Sequence, residues 1–119
     1  MATSNTSDSQ AQKTLSIIER HQHAMDTKDI QVIAADYADD AIIMGTVFSK
    51  TLVGKAELEA AVAELLGDFT PDVNVHFLKK EAIGEHGYLL FESDTFFGTE
   101  TYTVKNDKIV FESCTIYPK

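Results

Sequence analysis

The fold is decided by the stretch Asp36-Tyr37-Ala38-Asp39-Asp40-Ala41-Ile42-Ile43-Met44-Gly45, where the spacing of the apolar residues changes. Up to Tyr37 the apolar residues recur at helical spacing, which predicts a short helix over residues 30–37 with Asp29 as its N-cap. Residues 41–44 are apolar without a helical period and rich in β-branched side chains, which predicts a buried strand. The stretch therefore predicts a helix that ends where a sheet begins.

The regions on either side extend this pattern into a single domain over residues 10–119. Residues 1–9 are polar and predict a flexible tail, whereas the apolar periodicity of residues 10–26 and 54–67 predicts two further helices. Residues 46–53 predict an exposed strand or hairpin. Turn residues at 84–87, Gly98 and 106–107 divide the rest into four antiparallel strands, over residues 73–83, 88–97, 99–105 and 109–117. The order predicts an α+β domain with helices on one face of a curved sheet.

Composition limits the classes of partner. The chain has 119 residues, 10 basic and 19 acidic, and a formal charge of -9. Because phosphate binding needs a basic face, we expect no nucleic acid partner. Arg20 is the only arginine, so a bidentate clamp for an anionic substrate has one candidate at most. These counts favour a small neutral or cationic apolar ligand.

The sequence also argues against membranes, disulfides and metals. No apolar run approaches the about eighteen residues of a membrane span, and no signal peptide layout is present, so we expect a cytoplasmic protein. The single Cys114 allows no internal disulfide and fits a buried structural cysteine. His21 and His23 diverge on a helix because they are two residues apart, whereas helical metal ligands are three or four apart. We predict no metal site and no cofactor.

Three stretches resemble the nuclear transport factor 2-like (NTF2-like) superfamily, which includes ketosteroid isomerase and the SnoaL-like polyketide cyclases. They are residues 36–41 after a short helix, 52–56 before a third helix, and 97–104 leading to 108–110. The resemblance implies a cone-shaped, cystatin-like α+β fold with three N-terminal helices packed on a curved, mainly antiparallel sheet. It also implies a pocket between the concave face and the helices, and a homodimer formed through the sheet.

The resemblance is informative about activity residue by residue. In ketosteroid isomerase a tyrosine on the first helix donates to the developing oxyanion, and His21 takes that place here. A second donor, a protonated aspartate, corresponds to Glu100. The general-base aspartate on the first strand corresponds to Gly45, so the base is absent. Steroid isomerisation by that mechanism is therefore disfavoured.

Strand alternation predicts which side chains share the concave face with Glu100. By alignment to the superfamily, that face receives the following residues: Tyr88, Leu90, Glu92, Asp94, Glu100, Tyr102, Val104, Val110, Glu112, Cys114 and Ile116. A bulge of one residue would reverse such an assignment. We predict a ligand pocket lined by Tyr37, Met44, Leu90, Asp94, Tyr102, Glu112 and Cys114.

Several carboxylates in an apolar cavity cannot all stay ionised, because desolvation and like charge raise the pKa of at least one. A protonated acid beside an ionised base suits general acid–base catalysis. We therefore predict a catalytic pair of His21 and Glu100, oriented by Glu92 and Tyr37, with His21 either cationic or a proton shuttle. The alternative is that His21 is a core residue bonded to a carboxylate and that Glu92 and Glu112 reach solvent.

The opposite face of the sheet predicts an interface, because Leu89, Phe91, Phe111 and Tyr117 would point outward as an apolar patch. A two-fold homodimer through the sheet is the simplest way to cover it. Two functions remain open. The first is an isomerase-, cyclase- or dehydratase-type enzyme that transfers protons on a neutral apolar substrate. The alternative is a non-catalytic domain that binds a hydrophobic ligand or serves in dimeric assembly.

Overall fold

The computed structural model describes residues 5–67 and 74–119. Within them three helices and six strands follow one another along the chain. In order they are α1 (Asn5–Thr27), α2 (Ile30–Ala34), β1 (Tyr37–Gly45), β2 (Leu52–Val53), α3 (Lys55–Gly67), β3 (His76–Ile83), β4 (His86–Glu92), β5 (Phe96–Lys105) and β6 (Lys108–Pro118). No helix in these residues is long and apolar enough to cross a membrane.

One mostly antiparallel sheet runs in the order β2-β1-β6-β5-β4-β3. The four strands from β3 to β6 form the predicted antiparallel meander. Strand β1 pairs with β6 in parallel and with β2 antiparallel. The predicted α+β class is confirmed. Helix α3 follows β1 and β2, as the predicted order of elements places it, so the helices do not form the set of three N-terminal helices that the resemblance implied.

The junction predicted over residues 36–45 lies earlier than expected. Helix α2 ends at Ala34, and Tyr37 is the first residue of β1 and not part of a helix. The cause is pairing with the far end of the chain, since the Ile109 amide donates to the Asp36 carbonyl at 2.8 Å and Tyr37 pairs with Ile109. Asp29 caps α2 as predicted, accepting from two backbone amides. The strand hydrogen bonds to β6 thus override the helical periodicity.

Helix α1 is longer than predicted. It begins at Asn5, so residues 5–9 of the predicted tail are helical, and residues 1–4 lie outside the described part. The Thr14 hydroxyl donates to the Gly84 carbonyl at 2.7 Å, which attaches α1 to the β3–β4 turn. From there α1 runs along the sheet in contact with β3, β4 and β5. In its second half Gln22 reaches β5, where it donates to Glu100 and Tyr102.

The turn between β4 and β5 differs from the prediction at Gly98. The turn lies at residues 93–95, where the Ser93 hydroxyl oxygen accepts from the Thr95 and Phe96 amides at 3.1 and 3.2 Å. Gly98 lies inside β5 opposite Phe91, and a Cβ atom there would collide with the Phe91 ring. The glycine is needed for a close packing contact and not for a turn.

Because the turn is displaced, the two faces of β4 exchange. Leu89 pairs with Glu100, so Leu89 and Phe91 point to the helix-covered face and are buried. Leu90, paired with Thr99, points to the other face, as does Glu92, paired with Phe97. The predictions that placed Leu90 and Glu92 in the concave face, and Leu89 and Phe91 on the outer face, were wrong.

The core lies between the three helices and this one face of the sheet. It is built around the following buried side chains: Ile17, Ile18, Ile33, Ile43, Leu58, Val62, Leu89, Tyr102, Val104 and Ile109. An irregularity in the β5–β6 pairing puts Ile109, and not Val110, into this core opposite Val104. The other face, which we call the outer face, carries exposed apolar side chains, among them Ile42, Met44, Phe97 and Tyr117.

Candidate functional site

A chain of three buried polar side chains crosses the core. The Tyr37 hydroxyl lies 3.1 Å from His21 Nε2 and donates to Glu112 Oε1. His21 comes from α1, Tyr37 from the start of β1, and Glu112 from the middle of β6. All three are at most 6% exposed. The parallel pairing of β1 with β6 brings Tyr37 to Glu112, and α1 adds the histidine from above the sheet.

A second group of polar side chains surrounds Glu100 on β5. Its Oε1 accepts from the Tyr102 hydroxyl at 2.6 Å and from Gln22 Nε2 at 3.2 Å. Gln22 also donates to the Tyr102 hydroxyl oxygen at 3.2 Å. Tyr102 pairs with Glu112 across β5 and β6, and its ring lies edge-on to His21 with centroids 6.0 Å apart. Tyr102 therefore connects the two groups, which together we call the buried acid cluster: His21, Gln22, Tyr37, Glu100, Tyr102 and Glu112.

The two carboxyl groups of the cluster differ in surroundings. Burial, and after it the charge of Glu100, raises the pKa of Glu112 to about 8, although the hydrogen bond from Tyr37 acts the other way. Burial also raises the pKa of Glu100, but side-chain hydrogen bonds with Tyr102, Cys114 and Gln22 oppose it. Because Glu112 is the more buried and has fewer donors, it holds the proton near neutral pH, while Glu100 is the better stabilised anion.

His21 is neutral at pH 7. Burial lowers its pKa to about 4, against the smaller opposing effect of the Asp36 charge. The prediction that neighbouring carboxylates could hold it cationic was wrong, because the desolvation of the ring outweighs their attraction. The phenols stay protonated, since burial and the neighbouring carboxylates raise the pKa of Tyr37 and of Tyr102. The cluster thus contains neutral donors and acceptors around one negative charge, that of the Glu100 carboxylate.

One atom of the cluster is unsatisfied. His21 Nδ1 is buried and has no hydrogen-bond partner within residues 5–67 and 74–119. A buried polar atom without a partner destabilises a fold by about 1–3 kcal/mol, so such atoms are rare in native proteins. The unpaired nitrogen is therefore the feature of the cluster that most directly suggests a ligand.

Four predicted site residues lie away from this cluster. Glu92 is on the outer side of β4 and pairs with Lys119 Nζ at 3.0 Å. Leu90 shares that face, Asp94 is exposed after the end of β4, and Met44 is 42% exposed opposite Ser113. The displaced β4–β5 turn accounts for Leu90 and Glu92. Met44 is outward because Ile43, and not Met44, pairs with Glu112.

The remaining predicted residues do come together, although in a different arrangement. His21 contacts Tyr37 and through it Glu112, whereas Glu100 contacts Tyr102 and Gln22. Cys114 is buried opposite Glu100, and burial raises the pKa of its thiol, so it stays protonated. The direct His21–Glu100 pair of the prediction is replaced by two groups that meet at Tyr102.

Gln22 is the residue of the cluster that sequence analysis missed. It follows Ile18 by four residues, so the helical spacing already placed it beside the buried stripe of α1. Its partners Glu100 and Tyr102 are 78 and 80 residues away, and no local pattern identifies them. The usable signal was a polar side chain at the edge of an apolar helical face.

Two surface cavities lie elsewhere. A cavity of about 590 Å³ lies between α1 and α2, beside the ion pair of Arg20 and Asp36, whose Nε and Oδ1 atoms are 2.7 Å apart. Another, of about 420 Å³, lies between the connection from β1 to β2 and α3. Neither is lined by His21, Glu100 or Glu112. In the part of the chain that the structure describes, no three histidine, cysteine or acidic side chains are grouped as a metal site requires.

No sequence family model matches the chain, and no curated protein matches it. Its fold, in contrast, is that of NTF2-like proteins, which confirms the resemblance predicted from the sequence. The comparisons identify this fold class, and with it a set of structural neighbours of differing activities.

Three solved structures illustrate the likeness. A SnoaL-like protein of unknown function from Burkholderia thailandensis is 16% identical, with a TM-score of 0.70 over 90% of this chain and 94% of its own. A putative ketosteroid isomerase from Kribbella flavida is 13% identical, with a TM-score of 0.68 over 89% and 78%. A LEH-like epoxide hydrolase from M. tuberculosis is 13% identical, with a TM-score of 0.67 over 89% and 84%. At these identities the likeness concerns the fold.

Proposed function

We propose that this domain binds a small, neutral, largely apolar molecule and transfers protons to and from it with the buried acid cluster. Glu112 serves as the neutral acid and Glu100 as the ionised base. The observation that carries the proposal is the contrast between two carboxyl groups on adjacent strands, one buried with the pKa raised to about 8 and one surrounded by donors. Pairs of acids whose surroundings separate their pKa values are typical of general acid–base sites.

The geometry supports these two roles. Glu100 and Cys114 form one pair across β5 and β6, and Tyr102 and Glu112 form the next pair on the same face, two residues along each strand, so both carboxyl groups lie on the helix-covered face. Partly buried apolar side chains, among them Met25, Phe96 and Ile116, pack against the same core. A ligand beside Glu100 would meet mainly apolar surroundings, which suits a neutral molecule better than an anion.

The fold is compatible with such chemistry but does not select a reaction. Its neighbours include an epoxide hydrolase and a putative ketosteroid isomerase, and also proteins of unknown function. Gly45 occupies the position that our alignment assigns to the isomerase base, so any base must come from elsewhere. Glu100 is the carboxylate best placed to act as that base, because its donors stabilise the ionised form.

The first experiment measures protonation and binding in the same variants. Carbon NMR of protein labelled at the glutamate carboxyl carbons should show one resonance that titrates near pH 8 and disappears in Glu112→Gln. Binding of 2-naphthol and of cyclohexenone is followed by ligand fluorescence and by thermal shift, and the absence of tryptophan keeps the fluorescence background low. We expect Glu112→Gln and Glu100→Gln each to weaken binding about tenfold, which corresponds to about 1.4 kcal/mol.

Glu92→Gln is the matched control, because Glu92 lies on the outer face and pairs with Lys119. It should bind both probes as the wild type does. Acid groups that all titrate near the ordinary value of about 4.3, or equal effects of the three substitutions, would remove the proposal.

The alternative is a domain that binds without catalysis or that serves in assembly. The exposed apolar side chains of the outer face favour an assembly role, since monomers rarely expose such a surface. Proton exchange separates the alternatives. A catalyst should exchange the α-protons of cyclohexenone in D₂O, as seen by proton NMR, and Glu100→Gln should abolish the exchange, whereas a binding domain should bind the ketone with no exchange.

A further inference from the structure

We propose that Tyr37 couples the protonation of Glu112 to the tautomer of His21, so that His21 Nδ1 gives a proton to a ligand carbonyl or takes one from a ligand hydroxyl. The inference rests on the proposed function and assigns the atom that touches the ligand. Its basis is the chain of hydrogen bonds from Glu112 through Tyr37 to His21 Nε2, with an unpaired, buried Nδ1 at its end.

The number of protons along this chain allows two states. The Tyr37 hydroxyl has one proton and two polar neighbours, Glu112 Oε1 and His21 Nε2. When Glu112 is ionised, Tyr37 donates to it, Nε2–H donates to the Tyr37 oxygen, and Nδ1 is an acceptor. When Glu112 is protonated, it donates to the Tyr37 oxygen, Tyr37 donates to Nε2, and the ring proton is on Nδ1. Each state satisfies every bond of the chain and changes only the character of Nδ1.

Few other charged groups lie near the hydrogen bonds that run from Glu112 through Tyr37 to His21, and they come from α1, β5, β6 and the turn after α2. From α1 and the turn after α2, Arg20 and Asp36 form an ion pair beside His21. From β5, Glu100 and Tyr102 face Glu112, and from β6, Cys114 does so. Helix α2 has no ionisable side chain, and no group on α3 is among the causes that shift the pKa of Glu112, Tyr37 or His21. Glu100 is thus the charge that most affects which state is populated.

Burial keeps the histidine neutral in both states. His21 is 3% exposed, and desolvation of its ring holds the pKa at about 4, so a change at Glu112 alters the position of the ring proton and not the ring charge. In one tautomer of the neutral imidazole Nδ1 is a hydrogen-bond donor, and in the other it is an acceptor. Such an atom suits a ligand that interconverts between a carbonyl, which accepts, and a hydroxyl, which donates. The ligand class that follows is a neutral ketone or enone capable of enolisation.

The proton transfer balances for such a ligand. As the ketone enolises, the proton on its α-carbon passes to the Glu100 carboxylate, and the electrons of that C–H bond form the C=C bond. The π electrons of the carbonyl take the Nδ1 proton, Nε2 takes the Tyr37 proton, and the Tyr37 oxygen takes the Glu112 proton. Glu112 ends one proton poorer and Glu100 one richer. The reverse sequence, with return of the proton to another carbon, restores the site and gives an isomer.

The experiment uses ligand-free protein, so it tests the coupling independently of any substrate. Nitrogen NMR of protein labelled in its histidine rings distinguishes a protonated from an unprotonated ring nitrogen. Between pH 6 and 9.5 we expect the His21 proton to move from Nδ1 to Nε2, with the same midpoint as the Glu112 carboxyl carbon. His23, exposed on the opposite side of α1, is the internal control, because its ring should not follow the midpoint of the Glu112 carboxyl carbon.

Two variants locate the coupling. Glu112→Gln cannot ionise and should hold His21 in one tautomer throughout, and Tyr37→Phe removes the connecting hydroxyl and should do the same. A single His21 tautomer in the wild type across this range, or a tautomer change that survives in either variant, would overturn the coupling. The comparison of the two wild-type midpoints needs no variant, so the test holds even if Tyr37→Phe does not fold.

The outcomes are separable from those of the proposed function. A His21 tautomer that follows Glu112 in a protein that binds neither 2-naphthol nor cyclohexenone supports the coupling and removes the ligand chemistry. Binding and α-proton exchange with a fixed His21 tautomer support the acid–base function and overturn the coupling.

Discussion

Glu112 and His21 affect stability in opposite directions as the pH changes, because each favours its neutral form in the folded core. Glu112 has a folded pKa of about 8, above its unfolded value, so its stabilising effect is complete below the unfolded value and is lost as the pH rises towards 8. His21 has a folded pKa of about 4, below its unfolded value, so stability is lost as the pH falls through 6.5 towards 4. The two dependences nearly cancel between about pH 4.5 and 6.5, and above that range Glu112 acts alone.

Urea unfolding of the wild type and of Glu112→Gln should reveal how much Glu112 contributes to the loss of stability above pH 6.5. Between pH 6.5 and pH 8 the wild type should lose about 1.5 kcal/mol of unfolding free energy that the variant does not lose, because an amide has no proton to release. Parallel stability profiles for the two proteins across this range would mean that Glu112 ionises at an ordinary pH when folded.

For the buried acid cluster, the sequence supplied the residue types but not their hydrogen-bond partners. Spacing placed His21 in the buried stripe of α1, and alternation placed Glu100 and Tyr102 on one face of their strand. The alignment to the superfamily added Glu112 and Cys114 to that face, as observed. Hydrogen bonds that join positions 75 to 80 residues apart depend on the packing of α1 and β1 against the sheet. No periodicity carries that information.

The backbone at the end of β1 explains why a glycine, Gly45, stands at the position aligned with the isomerase base. Gly45 has a φ of +145° and pairs with Cys114, and a Cβ atom at this position would overlap the carbonyl oxygen of Cys114. The obstacle is backbone on a central strand, which cannot rotate away as a side chain can. An aspartate at this position would therefore require movement of β6, so the absence of the base follows from how the two strands meet.

Gly45→Ala tests that contact. We expect a loss of about 3 kcal/mol in urea unfolding, from the disfavoured φ and the overlap with β6 together. Gly84→Ala is the matched control, since Gly84 also has a positive φ, +57°, but no heavy atom within 4 Å of the added Cβ. That control should lose about 1 kcal/mol. Equal losses would show that β1 and β6 separate easily at this point.

The β4–β5 hairpin turns earlier than the sequence predicts. Both strands were predicted, but the turn was assigned to Gly98 and lies at residues 93–95. A glycine in an apolar run fits either a turn or a close packing contact, and here the Phe91 ring decides for the contact. That one displacement reversed the faces of Leu89, Leu90, Phe91 and Glu92.

The outer face of the sheet is the large apolar surface that the helices leave uncovered. The core lies on the other face, with α1 against β3, β4 and β5 and α3 against β1 and β2. The outer face leaves Ile42, Met44, Phe97 and Tyr117 between 40% and 56% exposed. The members of this patch differ in part from those predicted, because Leu89 and Phe91 are in the core. A second copy remains the partner we propose for it.

We predict a dimer by size-exclusion chromatography with light scattering at about 10 μM protein, in enough salt to screen the charge of -9 on each chain. Met44→Lys should shift the protein to a monomer by placing a charge in the apolar interface. Val32→Lys is the matched control, since Val32 is also 42% exposed but lies on α2. A monomeric wild type would exclude the dimer, and an equal effect of both substitutions would place the interface elsewhere.

Residue spacing is enough to predict the kind and order of most elements, because helical and strand periodicities are properties of neighbouring residues. Spacing therefore predicted the α+β class and the antiparallel meander, and three short motifs carried the NTF2-like resemblance. The structure bears out all three. The folded structure was needed to establish which residues of β4 face the helices, where β1 begins, and that Tyr37 joins His21 to Glu112. The physical reason is that strand register and buried hydrogen bonds depend on contacts between distant segments, and a shift of one residue reverses the face of every side chain in a strand.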